Sequence, residues 1–212
     1  GRQESLCTPH IYDLNEYIGT GVHEMTICVS NVGYKTKGGH LTSPDTQTNW
    51  NGITGRIELI GYKNAHAENV MLWCDIHNKT VRVTANITGG KSGKAVISAE
   101  SFNSEKNHTP AVQSFEYTNG KLDALYKMGD DCLLWSEHEP NLYKLRIDID
   151  GDMSEHIIGM REFMTEGGKF TINGEKTFLR GKHDGMIFPK TAFAPTDLEE
   201  WLRIMKISKS YG

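Results

Sequence analysis

Two short stretches of the 212-residue chain concentrate side chains suited to handling a ligand. One is Arg180-Gly181-Lys182-His183-Asp184, where His183 and Asp184 set an imidazole beside a carboxylate. The other is Asp45-Thr46-Gln47-Thr48-Asn49-Trp50, in which Asp45, Gln47 and Asn49 offer donors and acceptors and Trp50 a flat apolar face. Such groups suit a polar ligand. A polar ligand needs rigidly held hydrogen-bond partners, and an indole adds an apolar face to stack on. Plainer readings stand beside these. Asp184 fits a turn and His183 a hydrogen-bonded loop histidine, while Asp45 suits an Asx-turn and Trp50 a domain interface.

Other chemistries find little support. The nine histidines show no His-x-x-x-His or His-Glu-x-x-His spacing, so neither a zinc site nor any other cofactor is expected. Thr88-Gly89-Gly90-Lys91-Ser92-Gly93-Lys94 has a misplaced first glycine for a phosphate loop and precedes a strand pattern, so it is read as a hairpin. A net charge of −4 provides no basic field for nucleic acid or anionic membranes. No run approaches the ~20 apolar residues of a membrane helix, and the polar opening GRQESLCTPH lacks the apolar core of a signal peptide. The cysteines, Cys7, Cys28, Cys74 and Cys132, form no CxxC pair and are read as reduced packing residues. A Cys74–Cys132 disulfide is the alternative.

The elements that must position these groups fall into three parts. Residues 1–63 contain HEMTICVSN, whose alternation puts Met25, Ile27 and Val29 on one face, then a loop of twenty-odd residues and the strand-like RIELIGY. Two strands and a loop cannot close a core, so this part reads as truncated. Residues 64–163 carry seven candidate strands: 70–76, 80–87, 94–102, 111–117, 121–127, 141–149 and 155–163. Val81, Val83, Ala85 and Ile87 alternate with Arg82, Thr84 and Asn86, the pattern of a half-buried strand. Asn119-Gly120 and Asp150-Gly151 mark turns. Seven short strands in about 100 residues predict an immunoglobulin-like β-sandwich. Residues 164–212 contain a hairpin around Asn173-Gly174 and a helix from Thr196, with a Thr196/Glu199 capping box and an apolar stripe of Leu198, Trp201, Leu202 and Met205.

Four motifs resemble glycoside hydrolase family 2, the β-galactosidase, β-glucuronidase and β-mannosidase group. LWSEHEPNLYKLRIDI (134–149) is similar to the family's Trp-(spacer)-Pro-x-Leu-Tyr-x-Leu signature, and GMREF (159–163) to its Gly-Phe-Arg-Glu strand with Met160 in place of Phe. FTINGEKTFLRGKHD (170–184) resembles the start of the family's (β/α)8 barrel, and DTQTNWNGITGRIEL (45–59) the last loop and strand of its jelly roll. The resemblance implies a mainly β chain: the end of a jelly roll (1–63), the sandwich (64–163), and the first hairpin, strand and helix of a TIM barrel (164–212). It implies a retaining β-glycosidase acting on oligosaccharides or polysaccharide side chains, periplasmic or secreted in a bacterium. His183 and Asp184 would lie at the rim of the sugar pocket, and Asp45, Gln47, Asn49 and Trp50 on a jelly-roll loop reaching toward it. The acid/base and nucleophile glutamates would lie beyond Gly212, so the chain is expected to hold no catalytic residue. Trp135, Pro140, Leu142 and Tyr143 are expected to be structural, and so is the Arg161-Glu162 pair. The rival reading is a carbohydrate-binding or adhesion module with Trp50 as its platform. The barrel-like tail from Phe170 opposes it.

Overall fold

The structure is a computed structural model that describes residues 1–5, 8–30, 52–53, 55–181, 188, 190–191 and 194–212. The described residues form two compact units, Glu58–Lys182 and the combination of Gly1–Ile57 with His183–Gly212.

The unit Glu58–Lys182 is built on one antiparallel sheet. Its strands are β1 (His66–Asp75), β2 (Thr80–Thr88), β3 (Ser92–Ser101), β4 (Gln113–Thr118), β5 (Lys121–Lys127), β6 (Tyr143–Ile149) and β7 (Asp152–Ile158), in the spatial order β1-β2-β5-β4-β3-β6-β7. The sheet nearly closes, because its edge strands β1 and β7 approach one another. Period-two alternation explains this. On β2, Val81, Val83, Ala85 and Ile87 point inward, on β5 Leu122, Ala124 and Tyr126, and on β6 Tyr143, Leu145, Ile147 and Ile149. Each fully buried Val, Leu or Ile contributes about 1.5–3 kcal/mol, and curling the sheet lets all three rows share one core. The outer face is polar and laced with charge pairs. Arg82 grips Asp123 through two bonds of 2.9 and 2.7 Å, and Arg146 bridges Glu100 and Glu155. Exposed pairs of this kind contribute little each.

Tight turns set the register. Asn119-Gly120 joins β4 to β5 and Asp150-Gly151 joins β6 to β7, all four residues with φ between 51° and 87°. That is the requirement of type I′ hairpins, and Asn, Asp and Gly tolerate it best. A second, three-stranded sheet follows: β8 (Phe163–Glu166), β9 (Lys169–Ile172) and β10 (Glu175–Lys176), in the order β10-β9-β8. Gly167-Gly168 and Asn173-Gly174 make its two I′ turns.

Several expectations are corrected. The stretch 88–94 is not a hairpin. β2 pairs with β1 and β5, and β3 with β4 and β6, so the segment crosses between the two halves of the sheet. Its glycines serve packing instead: a Cβ on Gly90 or Gly93 would fall 2.7 Å from the hydroxyl of buried Tyr117. The strand expected over 155–163 ends at Ile158, because Gly159 turns the chain against Trp135 before β8 begins. β1 starts earlier than expected. A bulge at Asn69 (φ 51°) interrupts its alternation and hides its first residues from a periodicity reading.

In the other unit, neither HEMTICVSN (described to Ser30) nor RIELIGY, which crosses the boundary between the units, forms a strand. Met25, Ile27 and Val29 are exposed. Alternation predicts a strand only where a partner completes the ladder, and among the described residues none does. The helix α1 (Leu198–Ser210) is present, but its N-cap is Asp197 rather than Thr196. The Asp197 carboxylate accepts the Glu200 N–H at 2.8 Å, and a carboxylate caps as well as a hydroxyl while also favouring the positive helix end. The Leu198, Trp201, Leu202 and Met205 stripe buries none of its members.

Candidate functional site

All six candidate ligand-binding residues, Asp45, Gln47, Asn49, Trp50, His183 and Asp184, lie outside the described residues. What the structure describes is the scaffold leading to His183. β9 and β10 are joined by Asn173-Gly174, and the Thr177 N–H donates to Phe170 O at 2.9 Å, which carries the pairing one residue past β10. Beyond it the chain continues without regular secondary structure through Phe178 and Leu179 to Arg180, whose Nη1 lies 3.7 Å from the Glu137 carboxylate. Lys169, Phe170, Lys176, Thr177, Phe178 and Leu179 line a shallow hollow beside this run. Phe163 and Phe170 stack at 5.3 Å across β8 and β9.

The loop between β5 and β6 anchors this hairpin. Trp135 N–H donates to Met160 O and Trp135 O accepts from Asn173 Nδ2, both at 2.9 Å. Arg161 lies over the Trp135 ring, 4.7 Å from its centroid, and Glu162 Oε1 lies 3.4 Å from His77 Nε2. Trp135 also bridges to Pro140 and Tyr143 is fully buried, so these residues are structural as expected. The Arg161-Glu162 pair is likewise committed to packing. Sequence reasoning missed the second role of Asn173. Its Asn-Gly spacing announces a turn and says nothing about where the amide points.

The titratable groups are tuned by packing. Burial raises the Cys74 thiol to about 11, with Cys132 adding to the rise and Arg161 opposing it, and Cys132 is also raised by burial. Thiols held so far above neutrality are poor nucleophiles. Cys28, Cys74 and Cys132 are free thiols, so the Cys74–Cys132 disulfide does not form, and Cys7 lies outside the described residues. Among the described residues no three His, Cys, Asp or Glu side chains converge as a metal site. None of their helices is long and apolar enough to cross a membrane.

Comparison with known proteins names the scaffold. The model of the glycosyl hydrolases family 2 matches residues 65–161, which contain all seven strands of the large sheet and the Trp135 loop. Residues 65–161 belong to glycosyl hydrolase family 2. Curated relatives extend the similarity over the chain around this family 2 domain. A β-galactosidase of Leuconostoc mesenteroides is 22% identical over 91% of the chain, matching 20% of its own length. One of Halalkalibacterium halodurans is 25% identical over 97% of the chain, again matching 21% of its own length. The chain thus spans about a fifth of the curated relatives it matches. Among solved structures, a β-glucuronidase of Parabacteroides merdae is similar over 68% of this chain and 19% of its own, at 18% identity and a TM-score of 0.46.

Proposed function

We propose that the chain is the supporting portion of a retaining β-glycosidase of family 2, acting on oligosaccharides or polysaccharide side chains. The observation that carries this reading is the family match over residues 65–161 together with β-galactosidases aligned along nearly the whole chain. In this reading residues 64–163 are an immunoglobulin-like sandwich. Lettered A to G, the seven strands follow the order A-B-E-D-C-F-G, which joins the ABED and CFG sheets of that fold through strands D and C. Residues 1–63 are the end of a jelly roll, and 164–212 the first hairpin, strand and helix of a (β/α)8 barrel. His183 and Asp184 stand where the first barrel strand ends, the face at which such barrels bind substrate. Asp45, Gln47, Asn49 and Trp50 approach the same pocket from the jelly roll. A periplasmic or secreted location belongs to the same proposal.

Retaining hydrolysis needs two carboxyl groups about 5–5.5 Å apart, one to protonate the leaving oxygen and one to attack the anomeric carbon. In this reading both come from later barrel strands. The 212-residue chain should therefore show no turnover of nitrophenyl β-galactoside or β-glucuronide, and the longest reading frame containing it should show turnover. Hydrolysis by the chain itself would contradict the proposal.

A further inference from the structure

We infer that Asn173 is a clasp that locks the β9–β10 hairpin to the loop before β6, fixing the direction in which the chain leaves toward Arg180-Gly181. Asn173 holds the first position of a type I′ turn, with φ 53°. Glycine or aspartate would serve that turn equally well. The asparagine amide does more. Its Oδ1 accepts the Glu162 N–H and its Nδ2 donates to Trp135 O, each at 2.9 Å, while its backbone N–H donates to Glu162 O at 2.9 Å. The partners dictate the amide orientation, since a backbone N–H requires an acceptor and a carbonyl a donor.

These bonds extend the β8–β9 ladder past its Phe163–Ile172 pair to Glu162 and tie that end of the sheet to the loop before β6, which no strand ladder joins to the hairpin. The link of residues 159–162 between β7 and β8 lies outside the strands and carries the isolated Met160–Leu134 bridge, and such a link is a natural hinge. Asn173 restrains it from the hairpin side. From the other side, Trp135 N–H bonds Met160 O and the Arg161 guanidinium covers the Trp135 ring. Gly159 packs against the same ring so closely that a Cβ there would lie 3.1 Å from it. Arg180 and Glu137 add a second tie between hairpin and loop. Asn119 supplies the internal comparison. It occupies the same turn position with the same φ of 53°, yet no hydrogen bond to its side chain occurs among the described residues. The contacts of Asn173 therefore do not follow from turn type.

The test uses the 212-residue chain with Asn173→Gly, which keeps the turn and removes the clasp, and Asn119→Gly, which changes an unclasped turn. Hydrogen exchange at the Glu162 and Trp135 amides should quicken about tenfold in N173G, and trypsin should cut after Arg161 about tenfold faster. Exchange in β2, β5 and β6 should stay unchanged. N119G should leave the 159–162 link as it is in the parent. Asn173→Asp keeps the acceptor for Glu162 N–H but loses the donor to Trp135 O, so its Glu162 amide should stay protected while cleavage after Arg161 still rises. Equal exchange and cleavage in N173G and the parent chain would overturn the inference, and so would an equal effect from N119G. If N173G loses protection throughout the large sheet, N173D decides: unchanged cleavage after Arg161 in that variant overturns the inference.

Discussion

Tyr143 shows how one buried hydroxyl organises a corner of the family 2 domain. It is fully buried, its oxygen accepts the Leu133 N–H at 2.8 Å, and it lies 2.6 Å from His108 Nδ1. The hydroxyl and His108 Nδ1 share a hydrogen bond whose direction follows the imidazole tautomer. Burial holds the His108 pKa below its ordinary 6.5 against the opposing pull of Asp131. His156 is lowered by burial as well. The sign follows directly. A histidine that binds its proton less readily when folded leaves the unfolded state holding more protons, so stability falls as pH drops through about 6.5 and levels off below the folded value. Urea unfolding should give a lower stability at pH 5 than at pH 7.5. His108→Gln, whose amide can still hydrogen-bond the Tyr143 hydroxyl, should shrink that difference. An identical difference in H108Q would show that His108 is not responsible. Asp75 and Asp123, whose pKa values are lowered by hydrogen bonds from Asn78 and Arg82, act separately, below the ordinary carboxylate range.

At the scale of elements, the large sheet depends on glycines where side chains cross. Gly93 lies on β3 with the Tyr117 hydroxyl 2.7 Å and its ring carbons 2.9 Å from where a Cβ would stand. Tyr117 is 1% exposed and cannot swing away. Gly93→Ala should therefore cost about 1–3 kcal/mol through overpacking, read as a lower urea midpoint. Gly61→Ala, with open space around its Cβ, should stay within about 0.5 kcal/mol of the parent. Equal midpoints for the two variants would refute this account of the crossover. The same elements show what a sequence can reveal. Val81 to Ile87 and Lys121 to Lys127 alternate cleanly, and their strands fall where expected. β1 hides its start behind a bulge, and the Gly-rich 88–94 stretch looks like a hairpin because its packing against Tyr117 is a long-range fact. Met25, Ile27 and Val29 alternate as well, but a strand needs a neighbour that local sequence does not supply.

At the scale of the whole molecule, the described residues form a scaffold, and the ligand-binding role stays with residues that the proposed function assigns. The scaffold was legible because the Trp135–Ile149 and Gly159–Phe163 motifs mark packing: Trp135 against Gly159 and Arg161, and Tyr143 in the core. The candidate site was legible only as residue types. His183, Asp184, Asp45, Gln47, Asn49 and Trp50 lie outside the described residues, and no spacing fixes how two loops so distant in sequence would meet. Asn173 was read as a turn alone, since an amide's partners depend on segments brought close by folding. The central claim is that this polypeptide supports a glycosidase whose nucleophile lies elsewhere. The most direct measurement is covalent trapping with a 2-deoxy-2-fluoro glycoside, which leaves its sugar on the nucleophilic carboxylate of a retaining enzyme. In the longest reading frame containing this chain, peptide mapping should place the sugar on a glutamate outside Gly1–Gly212. A labelled carboxylate between Gly1 and Gly212 would contradict the account.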